Sequence, residues 1–392
     1  MGLTFEPLGK FIHEVDVRNT DLSVTKLMGV NLSKQMMPSV ANIVGTDLSA
    51  YKVVNKGQFA CKLMSVGRDA CLPIALKRDD EPVIISSAYY AFEVNNEDEM
   101  LSEYLMMCFL RPDFDRELWF RTGGDVRGGV TWDTFCKMPI PYVSISEQRK
   151  IVHDYQVITD RIELLRKMNE NLEKQASLHF ESVFGRYIPD GLNVSDSIPD
   201  GWKVATVGDF CKANSATFSG KDDVLLYLDT GSITNNYISG LQALNTNTDE
   251  IPSRARKKVS NGDIVYSTVR PNLRHYGIIF NPPENMIVST GFAVMSMISN
   301  APVCCEIIYM WLTRNSVVNV LHSIAENSVS TYPSIVSADL EQIKMVVPSE
   351  DECAETGAYY KSVFQTIDCN NREISKLERL AVLFSSQLAK GA

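Results

Sequence analysis

No CxxC pair occurs among the nine cysteines, and the five histidines form no two-histidine helical arrangement. Zinc ribbons and dithiol redox motifs are thereby excluded, and an odd, irregularly spaced cysteine set points to free thiols in a reducing compartment. Long hydrophobic runs are missing as well. The longest purely apolar stretch, Tyr104 to Leu110, is too short to cross a bilayer, and the opening MGLTFEPLGK has no basic-then-apolar signal pattern. A soluble, cytoplasmic chain is the expectation. Positive charge is in deficit, with 38 Lys and Arg against 48 Asp and Glu. Any contact with nucleic acid must therefore come from local basic clusters or from partner chains.

Motifs for chemistry are also scarce. Asn281-Pro282-Pro283-Glu284 begins like an amino-methyltransferase motif, but Glu284 stands where an aromatic ring must stack on a flipped base. Ser219-Gly220-Lys221 is followed by Asp222 rather than Ser or Thr and lacks the earlier glycine of a phosphate loop. The glycine cluster from Thr122 to Gly129 has the wrong spacing for such a loop, and no nucleophile and base pair emerges. The chain reads as a non-catalytic protein.

What the chain does have is a repeat. Ile151, Tyr155, Ile158, Ile162, Leu165, Asn169, Leu172, Ala176, His179 and Val183 alternate spacings of four and three, a heptad seam. A second seam runs through Tyr360, Val363, Ile367, Asn370, Ile374, Leu377, Ala381, Phe384 and Leu388. Each predicts a helix of roughly 36 residues, about 54 Å long. With one apolar stripe apiece, the helices are expected to pack on one another as an antiparallel coiled coil with pseudo-twofold symmetry. Asn169 would then face Asn370 and fix the register, Ile162 would meet Leu377 and Leu165 would meet Ile374. The bland alternative is that each asparagine reaches solvent.

The segments before the helices correspond in order. Val54 to Ala60 matches Val259 to Val265, a glycine turn followed by a strand, and Ile84 to Tyr89 matches Ile287 to Phe292. KMPIP at 137–141 and KMVVP at 344–348 close the two modules. The fold class is α+β, with a first module at 1–146, a long helix at 147–185, a linker at 186–200, a second module at 201–349 and a second long helix at 350–392. A structural repeat without shared ligands is one explanation; two similar, separated targets is the other.

Basic and polar clusters follow strands in both modules. The second holds Arg254, Arg256, Lys257 and Lys258, then Ser267, Thr268, Arg270, Asn272, Arg274, His275 and Tyr276. The first offers Lys62, Ser65 and Arg68, then Lys77 and Arg78, and a glycine-rich loop with Arg121 and Arg127. Arginine can grip guanine through two hydrogen bonds, while hydroxyls and amides position phosphates. A solvated basic face, or a plain tight turn in the loop, is the competing reading.

The order of modules, GDIVYSTVRPNLRHYG, the IPDGW at 198–202 and PIPYVSISEQRKI leading into a long helix resemble the DNA-specificity subunits of type I restriction-modification enzymes. Two departures exist: the first module lacks the IPxGW segment, and the second helix opens with PSEDECAETG. The resemblance implies two target-recognition domains that read the halves of a bipartite double-stranded DNA site, with the paired helices setting the gap. It implies two methylating subunits carrying S-adenosylmethionine, and restriction and translocation subunits, as partners of a chain that binds no cofactor itself. The alternative from another class is a two-module coiled-coil scaffold for protein partners. On the first reading, exchanging Met1 to Pro141 for a relative's first module changes one half-site only. Inserting or deleting a heptad between Glu170 and Gln175 changes the gap or abolishes binding. Sequencing methylated bases in cells carrying the complete system checks both outcomes.

Overall fold

The structure, a computed structural model, describes residues 3–39, 45–123, 129–195, 197–213, 216–218, 222–328 and 333–388. It divides into two compact units, 1–163 with 375–392 and 164–374. Each unit holds one module together with a segment of both long helices.

In unit 1, β1 (Thr4–Pro7) pairs with β8 (Pro139–Tyr142), the strand that carries KMPIP to the first long helix. A four-stranded antiparallel sheet has the order β2 (Ile12–Val15), β7 (Tyr90–Val94), β4 (Phe59–Cys61), β5 (Ile74–Leu76), and β3 (Lys52–Val54) pairs with β6 (Val83–Ile85). Helices α1 (Ser102–Phe109) and α2 (Pro112–Phe120) cover the sheet. Phe59 stacks on Phe92 at 4.7 Å between ring centroids, and Phe109 meets Phe59 edge-on at 5.8 Å. Such a cluster adds geometry to the roughly 1.5–3 kcal/mol that burying each large side chain contributes.

Unit 2 repeats the plan. The order β10 (Cys211–Ala213), β17 (Phe292–Met297), β14 (Ile264–Ser267), β15 (Tyr276–Ile278) reproduces the first sheet. β9 (Lys203–Thr206) pairs with β18 (Lys344–Val347) as β1 does with β8. A second sheet, β12 (Gln242–Asn245), β11 (Val224–Leu228), β16 (Met286–Ser289), β13 (Ala255–Lys258), enlarges what is a two-stranded pair in unit 1. The aligned glycines make the repeat concrete: Gly57 and Gly262 both have φ +84°. In both turns the residue after glycine donates its N–H to the carbonyl three residues back, Gln58 to Asn55 and Asp263 to Ser260, each at 3.1 Å. Its side chain accepts the N–H of that same earlier residue.

The seams form α3 (Ile145–Val183) and α6 (Glu350–Gln387). Within unit 2 they run antiparallel, since Asn169 meets Asn370 while His179, further along α3, meets Tyr360, earlier in α6. Asn370 Nδ2 donates to Asn169 Oδ1 at 2.8 Å, and Asn169 Nδ2 donates to Asn371 Oδ1 at 2.8 Å. Asn371 in turn donates to the Asn236 carbonyl, so the buried amides are satisfied by a chain rather than by one pair. Leu165 and Ile374 are buried. Near the end of α3 the inward position moves from His179, which is exposed, to Phe180, whose ring packs edge-on at 5.1 Å against Trp311 of helix α4 (Cys305–Thr313), which α5 (Asn315–Glu326) follows. Tyr187 and Ile188, in the segment after α3, are buried in the same core.

The junctions explain the two sequence departures. Gln148 of SEQRKI is fully buried; its amide donates to the Glu99 and Val143 carbonyls and its oxygen accepts the Leu101 N–H. At the second junction Cys353 takes the corresponding place, one helical turn after Ser349, and no amide is available. Instead Trp202 of IPDGW donates its indole N–H to Glu352 at 2.8 Å, and Ser349 caps the same carboxylate. Each module is fastened to its helix, by a different residue.

Replacing Asn370 with Leu strands the Asn169 oxygen in a buried layer, and urea unfolding is expected to show a loss of about 1–3 kcal/mol. The double replacement Asn169→Leu/Asn370→Leu is expected to cost less than the sum of the single changes, because the stranded partner is gone.

Candidate nucleic-acid interface

Strand β13 alternates, so Arg256 and Lys258 face outward while Ala255 is buried and Lys257 is half-buried. Lys257 Nζ donates to the Phe292 carbonyl at 2.6 Å, and burial lowers its pKa. Cations on an edge strand often serve only to prevent edge-to-edge pairing. Here the edge is already covered, since Phe218 N–H donates to the Arg256 carbonyl and Lys258 N–H to that of Ala216. The outward charges are thus left without that structural duty.

The Ser289–Phe292 turn ties this strand to the β14–β15 hairpin. Thr290 N–H donates to the Arg254 carbonyl at 2.8 Å, and both the N–H and the hydroxyl of Thr268 donate to the Gly291 carbonyl at 2.9 Å. The hairpin tip is Arg270-Pro271-Asn272-Leu273-Arg274, with a 3-10 turn over Pro271–Leu273. Arg270 and Arg274 flank that turn with φ +49° and +57°, a region that side chains with a Cβ rarely enter. Arg270 N–H is held by the Pro333 carbonyl, and Arg274 donates a guanidinium N–H to Asn315 Oδ1 at 2.9 Å. His275 Nδ1 donates to the Ile233 carbonyl at 2.7 Å. Ser267 is buried and hydrogen-bonded to the Val269 carbonyl.

Among the described residues, Arg254, Arg256, Lys258 and Arg270 are exposed and make no ion pair, and exposed Asn272 sits between the two strained arginines. Tyr276 is buried. The structure therefore links part of the second cluster, on edge strand β13 of one sheet and at the hairpin tip of the other, through the Ser289–Phe292 turn and takes Ser267, Lys257, His275 and Tyr276 into the fold.

Unit 1 differs. Arg68 grips Asp69 through two hydrogen bonds at 2.6 and 2.8 Å, and that contact holds the Asp69 carboxyl below its ordinary range. Lys77 is buried against Asp79, Arg78 pairs with Glu103 at 2.8 Å, and Arg121 pairs with Glu117 at 2.6 Å. Lys62 lies 5.5 Å from the Tyr89 ring centroid, and Ser65 is buried. Arg127 lies outside the described residues. Arg68, Lys77, Arg78 and Arg121 each already hold a carboxylate, and Lys62 has only the Tyr89 ring.

Burial pushes the Cys71 thiol up to about 11 and Cys211 to about 12, and among the described residues no group of three His, Cys, Asp or Glu is placed to hold a metal ion. Among the described residues no helix is long and apolar enough to cross a membrane. Sequence reasoning missed Asn371 and Asn236, although an Asn-Asn pair at a seam position was a visible signal.

Residues 199–379 match the type I restriction modification DNA specificity domain. That stretch, just under half of the chain, is similar to the type I DNA-specificity family. The match takes in β13, the strained hairpin and most of α6. Over 187 residues the chain is 27% identical to the HindI specificity subunit of Haemophilus influenzae, a match covering 47% of the chain and 40% of that subunit. It is 33% identical over 129 residues to the MjaIX specificity subunit of Methanocaldococcus jannaschii, covering 31% of the chain and 29% of that subunit. The matched stretches thus span less than half of either relative. In structure it is similar to the S subunit of a type I restriction-modification system from M. genitalium, with TM-score 0.57, 12% identity, and 99% and 96% of the two chains covered. At that identity the likeness speaks for the fold.

Arg270 separates backbone strain from function. Arg270→Gly relieves the left-handed conformation and is expected to raise stability by about 1 kcal/mol, while Arg270→Val lowers it; denaturant unfolding checks the order of the three.

Proposed function

We propose that this chain is the sequence-specific DNA-recognition subunit of a type I restriction-modification complex. Its two modules act as target-recognition domains for the halves of a bipartite site, and the paired helices set the gap. The observation that carries this reading is the group of exposed cations without ion pairs among the described residues, Arg256 and Lys258 on edge strand β13, Arg254 immediately before it and Arg270 on the strained hairpin tied to it through the Ser289–Phe292 turn. Held apart from carboxylates, they neutralise phosphate without first breaking a bond within the protein. The acidic total does not oppose this, because the balancing acids lie elsewhere and partner chains share the grip on DNA. In this reading methylation is done by two partner subunits carrying S-adenosylmethionine, cleavage and translocation by restriction subunits, and the complex works in the cytoplasm. The chain itself performs no catalysis. A scaffold without DNA gives the four unpaired cations no role.

The test is binding of a random duplex across a salt series by the full chain with its methylation partner. Each of Arg254→Ala, Arg256→Ala, Lys258→Ala and Arg270→Ala that removes a phosphate contact lowers the slope of log K against log salt by about 0.9. Arg68→Ala, Arg78→Ala and Arg121→Ala leave it unchanged, since those charges are neutralised internally. Binding without salt dependence, or no binding at all, defeats the proposal.

A further inference from the structure

The connector between β4 and β5 occupies the place in its sheet that the Arg270 hairpin occupies between β14 and β15. Its exposed face is more apolar, with Met64 on this connector at 60% exposure. Beside it lies the end of α2, with Trp119 at 40% and Phe120 at 80%. Trp119 donates its indole N–H to the Gly67 carbonyl at 3.3 Å, which seats α2 on the connector one residue from Arg68. On the other side, a Cβ at Gly129 would lie 2.8 Å from Met64 Cα, so the chain returns against Met64 at van der Waals range. Met64 and Trp119 are thus anchored to the same connector, with Phe120 next to Trp119 in the chain.

Clustered exposure of this kind marks a recognition surface rather than ordinary scatter. Of the flanking cations, Arg68 is held by Asp69 and Arg121 by Glu117, while exposed Arg116 and half-buried Lys62 make no ion pair among the described residues and are left for phosphates. Contact with the bases then falls to the apolar side chains, against thymine methyl groups or as a wedge at a base step.

We infer that Met64, Trp119 and Phe120 are the specificity surface of unit 1, reading one half-site by apolar contact while unit 2 reads the other through arginines. This rests on the DNA-recognition reading above. What favours DNA over a protein partner is the equivalence of the connector with the cationic hairpin of unit 2.

The experiment uses the full chain with its co-expressed partner subunits and duplexes selected from a random library by the wild type. Met64→Ala and Phe120→Ala touch exposed side chains, and unchanged thermal unfolding confirms an intact fold. The expected result is a loss of sequence preference in one half-site only. Affinity for the selected duplex falls on the order of 10-fold per lost base contact, and the salt slope stays at its wild-type value. Variants that select the same sequence with the same affinity overturn the inference, as do variants that shed a partner subunit while keeping their half-site preference. Arg270→Ala, measured in parallel, separates the two readings. If it weakens binding and the apolar variants do not, only this inference fails; if none of the three affects DNA, the recognition reading fails with it.

Discussion

Burial of aromatic side chains from the long helices is the interaction on which each unit depends. In unit 2, Ala176, Phe180 and Phe184 from α3 and Tyr360, Val363, Phe364 and Ile367 from α6 belong to one core with Trp311 and the strands. In unit 1, Val152 and Leu388 are buried in the module core, with Tyr155 and Phe384 packed against it. A module stripped of its helix segments would expose these faces to water, at a cost set by the apolar area uncovered. Module and helix segments are therefore not separable parts, because the same side chains belong to both.

Within that apolar seam, Asn169 and Asn370 are tolerated because their polar atoms are satisfied. A buried amide with one partner missing costs more than an apolar pair in its place. The chain through Asn371 to the Asn236 carbonyl extends the layer beyond the two helices. It reaches the turn between Ile233–Thr234 and Tyr237–Ile238, on the same module that carries the strained hairpin. Register in the seam and position of a module loop are thus set by one network.

How much of this was legible follows from the range of each interaction. The seam, the opposed asparagines and the repeated glycine turns were readable, because heptad spacing and left-handed turns are local properties. His179 was placed in the seam where Phe180 goes inward, since a module core, not the partner helix, decides that position. The alternation of β13 could have shown that Lys257 points away from Arg256 and Lys258, and adjacent pairs such as Arg68 with Asp69 were visible in principle. Arg78 with Glu103 was not, because it depends on the approach of α1 to the strand end. The surface at Trp119 and Phe120 escaped for a different reason. Large aromatic residues are assigned to the interior by default, and only the structure shows that these are not.

The contrast between Arg270 and Arg68 shows what ion pairing does to a candidate reader. Arg68 can meet a phosphate only by releasing Asp69, so part of the new interaction replaces an old one. Arg270 has no such debt, but its backbone sits in a left-handed conformation that glycine or asparagine would adopt with less strain. Pro271 fixes the following φ, and the bonds from Thr268 to Gly291 and from Arg270 to Pro333 hold the tip in place. Strain of this kind persists only where the surroundings over-determine it. What the surroundings fix is the Arg270 backbone, while the guanidinium keeps no carboxylate, so the main-chain ordering that would otherwise oppose binding is met when the chain folds.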